Sequence, residues 1–366
     1  MADDTDPLLD AVTTLVPPLL TALEALAGAG RHLHPPELAE LVAGVARYEP
    51  PLRQGLAVFE QAPWPAHLQD FRGAVTAAAN HALAAFEGLE ASLARSNPVL
   101  GAYRALGRLT LAVEALYPVA FMLPPVNRFY LCDPQRGDEA FQASLLGADP
   151  ARQDTGVMHA GNGPRERGGF SLYVPENLDD LPGPVPLVVA LHGGSGHGRT
   201  FLWSWLREAR SRGAIVVAPT SRGDTWDLMS PEADSANLRA MVEHVRSMWA
   251  VDAGRILLTG MSDGGTFSYL AGLAGDGPFT HLAPISATFH PMLLELADGD
   301  RLAGLPVYLV HGALDWMFPV DTARLARDAL TAAGARVTYR EIDDLSHTYP
   351  REESVRILDW LKAPPP

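Results

Sequence analysis

Ser262 stands in Gly260-Met261-Ser262-Asp263-Gly264, between an apolar, β-favouring run (Arg255-Ile256-Leu257-Leu258-Thr259) and a stretch that can be helical, from Gly265 to Ala271. A strand, a G-x-S-x-G turn and a helix in succession expose the serine hydroxyl on a sharp bend. Side chains at positions 260 and 264 would collide with neighbouring backbone in so tight a turn, which explains the two glycines. The helix turns free N–H groups and its positive dipole end toward the serine. Negative charge develops there when a serine attacks an acyl carbon, so the chemistry is acyl transfer. The pentapeptide alone is a weak signal, because glycine and serine are ordinary loop residues.

Further chemistry-bearing residues lie just after other β-type runs. After Val185–Leu191 comes His192-Gly193-Gly194-Ser195-Gly196-His197-Gly198, where glycines let backbone N–H groups turn toward a ligand. A phosphate-binding loop would need a Walker lysine or a fitting G-x-G-x-x-G, and neither is present. After Leu305 to Val310 comes His311-Gly312-Ala313-Leu314-Asp315, which makes Asp315 the natural acid. After Arg336 to Ile342 comes Asp343-Asp344-Leu345-Ser346-His347, which makes His347 the natural base. His290 and His311 compete with it, and Asp315 has an alternative as an ordinary loop residue.

Positioning these residues falls to the second part of the chain. Continuous apolar runs (Val185 to Leu191, Ala214 to Ala218, Arg255 to Thr259, Leu305 to Val310), the alternating Phe170 to Val174 and the run Arg336 to Ile342 are separated by helical stretches. The stretch through Leu238, Met241, Val242, Val245 and Met248 is amphipathic. This pattern predicts an α/β fold with a mostly parallel sheet covered on both faces. Ligands then bind at the carboxyl ends of the strands.

The first part reads differently. Apolar residues recur at helical spacing from Leu8 to Leu26, with a break or kink expected at Pro17-Pro18. Further helices are expected from Pro35 to Val45, Leu68 to Leu93 and Asn97 to Leu116. The expected organisation is an all-α helical module over 1–123, a Pro-, Gly- and Asp-rich connector over 124–169 and a catalytic domain over 170–366. The apolar stripes of the module must be buried in its own bundle, on the catalytic domain or in a homodimer.

Composition limits the rest. The chain has 366 residues, 47% hydrophobic and 19% charged, enough for a sizeable core. The formal charge of −15 leaves no basic stripe for nucleic acid. A single cysteine, Cys132, excludes an internal disulfide and fits either a reducing, cytoplasmic setting or indifference to redox; it reads as a small buried hydrophobe. The acidic start is the opposite of a secretory leader, and the uncharged stretch from Ala11 to Leu23 reads as too short for a membrane span.

The segment from about Phe170 to Leu361 resembles the α/β-hydrolase superfamily, nearest its phospholipase/carboxylesterase branch and the related polyhydroxybutyrate-depolymerase-like and feruloyl-esterase-like proteins. The resemblance rests on Leu191-His192-Gly193-Gly194, Gly260 to Gly265, His311-Gly312 through Asp315, and Ser346-His347. It implies a serine carboxylesterase with a Ser262, Asp315, His347 triad in that chain order and a covalent acyl-enzyme. It implies an oxyanion hole of Gly194 N–H and Asp263 N–H, and no metal or organic cofactor. It also assigns His192 a structural role, since the base comes last in this fold. The helical first third lies outside the resemblance. The signal peptide and disulfides usual in secreted polyester and plant-wall esterases are missing, which favours small soluble acyl esters. Trp226, Trp316 and Phe318 are the expected pocket wall; Trp203 and Trp205 suit core packing equally well. A peptidase, an acyltransferase or a partner-binding protein on a hydrolase scaffold are the alternatives.

Overall fold

The computed structural model describes residues 6–275, 277–295, 297 and 299–364. The chain forms two compact units, Met1–Leu131 and Cys132–Pro366.

The first unit is helical: α1 (Pro7–Arg31), α2 (Leu38–Ala46), α3 (Glu49–Gln61), α4 (Gln69–Ser92), α5 (Pro98–Leu116) and α6 (Pro124–Phe129). The Asp6 carboxylate caps α1 by accepting the Leu8 N–H at 2.9 Å. Of the break or kink expected at Pro17-Pro18, the break does not occur, and α1 runs through both prolines. Pro18 has no N–H to give the Thr14 carbonyl. Helix α3 crosses at that point, where a Cβ on Gly55 would lie 2.8 Å from the Thr14 carbonyl oxygen. The crossing is therefore close enough to cover the freed carbonyl. At 25 residues α1 is long and apolar enough, by length and composition, to cross a membrane, which corrects the shorter stretch read from sequence. Within the unit it packs against α3, α4 and α5, with Leu15, Leu19, Leu23 and Leu26 fully buried. Helices α4 and α5 run antiparallel, Gly88 meeting Ala105 and Ser92 meeting Gly101.

The second unit is built on one sheet of eight strands: β1 (Gly156–Ala160), β2 (Phe170–Val174), β3 (Val185–Leu191), β4 (Ile215–Pro219), β5 (Val251–Met261), β6 (His281–Ile285), β7 (Pro306–Gly312) and β8 (Arg336–Ile342). The spatial order is β1-β2-β4-β3-β5-β6-β7-β8. Strand β2 is antiparallel to both β1 and β4; the other pairings are parallel. The chain leaves β3 toward β4 on one side and returns to β5 on the other. That change of direction opens a crevice at the carboxyl ends of β3 and β5.

The helices of this unit are α7 (Glu139–Leu146), α8 (Gly198–Phe201), α9 (Leu206–Arg212), α10 (Glu232–Met248), α11 (Asp263–Leu273), α12 (Met292–Glu295), α13 (Gly299–Leu302), α14 (Asp321–Ala332) and α15 (Arg351–Lys362). One face of the sheet, with Leu187, Val189, Ile256 and Leu258, packs on α10 through Leu238, Met241, Val242 and Val245 and on α14 through Ala326 and Leu330. On the other, α9 and α15 lie together over β4 and β5. Both faces of the central strands are thus dry, which is why they are apolar at every position rather than at alternate ones.

Residues 124–169 do not form one connector. Helix α6 belongs to the first unit, whereas α7 and β1 belong to the second, where β1 pairs with β2 along its full length. These elements are too short to show a period in the sequence.

Candidate active site

Strand β5 delivers Ser262 at its carboxyl end. The residue has φ 57° and ψ −122°, a conformation that side chains other than glycine rarely adopt. Two backbone hydrogen bonds hold it there: Ser262 N–H donates to the Ile285 carbonyl at 3.0 Å, and the Ser262 carbonyl accepts the Thr266 N–H at 2.9 Å. A Cβ on Gly260 would lie 2.5 Å from the Gly264 carbonyl carbon, and one on Gly264 would lie 2.5 Å from the Leu191 and His192 carbonyl oxygens. The turn thus leaves no room for side chains at the two glycines that flank it.

Loops from two further strand ends reach this serine. His347 Nε2 lies 3.1 Å from Ser262 Oγ, and His347 Nδ1 lies 2.8 Å from Asp315 Oδ2. The other carboxylate oxygen of Asp315 accepts the Met317 and Phe318 N–H groups at 2.9 and 2.8 Å. Burial pushes the Asp315 carboxyl up. The hydrogen bonds from His347 and from the Phe318 N–H outweigh that push and hold it below the usual carboxylate range. An ionised Asp315 only accepts, so Nδ1 of His347 carries the proton and Nε2 presents its lone pair to Ser262. Ser262, Asp315 and His347 are each less than a tenth exposed. The arrangement can take a proton from the serine hydroxyl and stabilise the resulting imidazolium.

Neither competing histidine is hydrogen-bonded to Ser262. His311 Nε2–H donates to the Phe318 carbonyl at 2.8 Å and lies 3.4 Å from Asp315 Oδ2; burial lowers its pKa, which keeps it neutral. His290 is exposed, and its Nδ1 accepts the Met292 N–H. His192 Nδ1–H donates to the Gly193 carbonyl at 2.7 Å, and Nε2 accepts the Ser221 N–H at 3.1 Å. Burial lowers its pKa to about 4, so it stays neutral and keeps both bonds. Cys132 has no part in this group of side chains, and burial pushes its thiol up to about 12.

The loop after β3 lies over the serine. Gly193 to Gly196 form a turn closed by the Gly196 N–H on the Gly193 carbonyl at 3.0 Å. A Cβ on Gly193 would lie 3.4 Å from the Ser262 Cβ, and one on Gly194 would lie 2.8 Å from Asp263 Oδ2. The Asp263 carboxylate accepts a hydrogen bond from Thr225 Oγ1 at 2.7 Å, tying the loops after β4 and β5. Asp263 is the first residue of α11, so its N–H has no acceptor within the helix.

The pocket residues fare unequally. Trp226 is not a pocket wall. It is 2% exposed, stacks on Phe267 with centroids 5.2 Å apart, and donates its indole N–H to the His192 carbonyl at 2.8 Å. A tryptophan that finds both an aromatic neighbour and a hydrogen-bond acceptor inside is satisfied by the core. Phe318 packs its edge on the His347 ring at 5.2 Å. Trp316 is half exposed, on the loop that carries Asp315. Trp203 and Trp205 are buried. Arg167, Ser221 and Thr225 are site-framing residues that the sequence reading missed. Their signals were two stretches rich in glycine and arginine, one before the Phe170 to Val174 run and one after the Ala214 to Ala218 run. Among the described residues no group of three or more His, Cys, Asp or Glu side chains is placed to hold a metal ion.

Residues 232–363 match the family model of the phospholipase/carboxylesterases. The acetylxylan esterase of Coprinopsis cinerea is 30% identical over 128 residues, covering 31% of this chain and 33% of that protein. The bifunctional acetylxylan esterase/xylanase of Neocallimastix patriciarum is 29% identical over 161 residues, 41% of this chain and 22% of that protein. The chain thus spans a third or less of the curated relatives it matches. Among solved structures, a thermostable esterase aligns with a TM-score of 0.44 and 21% identity over 57% of this chain and 62% of its own. The fluorophosphonate-binding serine hydrolase F of Staphylococcus aureus aligns with a TM-score of 0.45 and 16% identity over 56% and 96%. The family match runs from α10 through the Ser262 turn to α15, taking in Ser262, Asp315 and His347, and over this stretch the chain is similar to the phospholipase/carboxylesterases.

Proposed function

We propose that this protein is a serine carboxylesterase that hydrolyses small soluble acyl esters through an acyl-enzyme on Ser262. The observation that carries the reading is the single imidazole of His347, hydrogen-bonded at once to Ser262 Oγ and to Asp315 Oδ2. His347 takes the hydroxyl proton as Oγ attacks the ester carbonyl, and Asp315 stabilises the imidazolium. The tetrahedral oxyanion sits at the N–H groups of Gly194 and Asp263, each such donor being worth about 3 kcal/mol. His347 then gives its proton to the departing alcohol. Water, deprotonated by the same imidazole, releases the acid and frees Ser262.

The acetylxylan esterases among the relatives support a short acyl group carried on a hydroxylated alcohol. Trp316, half exposed beside the acid loop, offers a ring face to that alcohol. A panel of p-nitrophenyl esters of increasing acyl length tests the reading, with a serine-directed phosphonate as label. Acetate and propionate esters should turn over fastest. One phosphonate adduct should form, on the peptide holding Ser262, and Ser262→Ala should abolish both signals while the protein stays folded. Turnover surviving in Ser262→Ala, or an adduct on Ser195 or Ser286, would remove the assignment.

A further inference from the structure

Arg167 lies on the turn between β1 and β2. Strand β2 runs antiparallel to β4 with Phe170 opposite Pro219, so this turn sits at the carboxyl edge of the sheet, beside the crevice. The half-buried guanidinium donates to the Gly196 carbonyl at 2.8 Å, to the Ser221 carbonyl at 3.1 Å, to Ser221 Oγ and to the Gly223 carbonyl. None of these acceptors is a carboxylate.

The bonds close a ring around the turn that carries Gly194. At its exit Gly196 is tied to Arg167. At its entry the Gly193 carbonyl accepts from His192 Nδ1, and His192 Nε2 accepts the N–H of Ser221. Ser221 is tied back to Arg167 through both its carbonyl and its hydroxyl. Hydrogen bonds thus link Arg167 to both ends of the turn. On its remaining side the turn abuts the Asp263 carboxylate.

We propose that Arg167 is the positioning residue of the oxyanion turn: its guanidinium fork holds the Gly194 N–H at the height of the tetrahedral oxyanion, and its positive charge, hydrogen-bonded to no carboxylate among the described residues, favours that anion. The inference rests on the esterase reading above. It concerns the transition state alone, because the ground-state carbonyl needs neither the precise donor position nor the charge. A lysine cannot replace it, since a single ammonium cannot span four acceptors on two loops.

The test uses the full chain with Arg167→Ala, Arg167→Gln and Arg167→Lys, and with Arg165→Ala as a control on an exposed arginine of the same turn. Steady-state kinetics on p-nitrophenyl acetate, the rate of phosphonate labelling and a thermal melt are recorded for each. The expected result is a fall in kcat of about ten- to a hundredfold, less than the loss of a whole oxyanion donor. KM should stay within about threefold, labelling should slow in parallel, and Arg167→Lys should not recover the rate. Millimolar guanidinium added to Arg167→Ala should restore part of kcat, an effect that repair of general stability would not give. Arg165→Ala should match wild type. If Arg167→Ala fails to fold, Arg167→Gln and Arg167→Lys decide the same question by the split between kcat and KM. A kcat within twofold of wild type in the folded variants, a loss carried by KM, or full recovery by lysine would overturn the proposal. A wild-type enzyme that neither turns over esters nor takes the label would overturn the esterase reading and this inference with it.

Discussion

The Ser262 hydroxyl can lose its proton only to an imidazole whose lone pair faces it, and Asp315 decides which way His347 faces. Asp315 is itself fixed by the Met317 and Phe318 N–H groups, so the acceptor is rigid as well as charged. Asp315→Asn keeps the shape and can still accept those N–H groups, but removes the charge and lets an amide N–H face Nδ1. The opposite tautomer of His347 then becomes competitive. We expect kcat to fall about a thousandfold or more with KM little changed, no worse than for Ser262→Ala. Retention of more than a tenth of the activity would mean that His347 is oriented by something else. These three residues were legible because each lies just after a strand, and strand ends can be read from apolar runs. Trp226 was misread because a loop position says nothing of whether an indole finds an acceptor, here the His192 carbonyl. Arg167 was illegible because its four acceptors belong to loops 29 to 56 residues away in sequence.

At the level of elements the site depends on how closely β5, α11 and β3 approach at the crevice. Gly264 faces the Leu191 and His192 carbonyl oxygens, both backbone atoms that cannot move unless β3 parts from β5. Gly264→Ala should therefore destabilise by about 1–3 kcal/mol or more, as overpacking does, and remove most of the activity. Gly107 is the opposite case. It lies inside α5 with nothing within 4 Å of where a Cβ would stand, so Gly107→Ala should stabilise by about 0.5–1 kcal/mol through helix propensity. Denaturant unfolding of the two variants beside wild type checks the contrast; a neutral Gly264→Ala would show that the elbow has slack. Two of the elements that escaped the sequence reading contain proline. Strand β6 contains Pro284, which argues against a central strand, yet it pairs with β5 opposite Gly260. Helix α3, which the sequence reading passed over, carries Pro50 and Pro51 in its first turn, where proline is suited. Pro284 is tolerated in β6 because its neighbours Leu282, Ala283 and Ile285 are buried.

For the whole molecule, two desolvated histidines, His192 buried and His281 half-buried, contribute to how stability responds to acid. His192 and His281 both have pKa values lowered to about 4, by burial first and for His281 by the charges of Arg336 and Arg255 as well. In the unfolded chain an imidazole takes its proton near 6.5. Between pH 6.5 and 4 the unfolded state therefore binds protons that the folded state refuses, so stability must fall as the pH is lowered through that window. His281 lies far from the catalytic group, at the start of β6, with Nδ1 bonded to Thr280 Oγ1 at 2.8 Å and its ring set edge-on to Trp360. His281→Gln removes one titrating group and leaves Ser262, Asp315 and His347 untouched. The expected result is a melting temperature that drops from pH 6.5 to pH 4.5 in wild type and drops less steeply in His281→Gln, with ester turnover at pH 7.5 unchanged. The formal charge of −15 works the other way, since acid relieves self-repulsion, and it does so equally in both proteins. The difference between the two slopes isolates the His281 imidazole, and equal slopes would mean that His281 is as free to take a proton in the folded protein as in the unfolded chain.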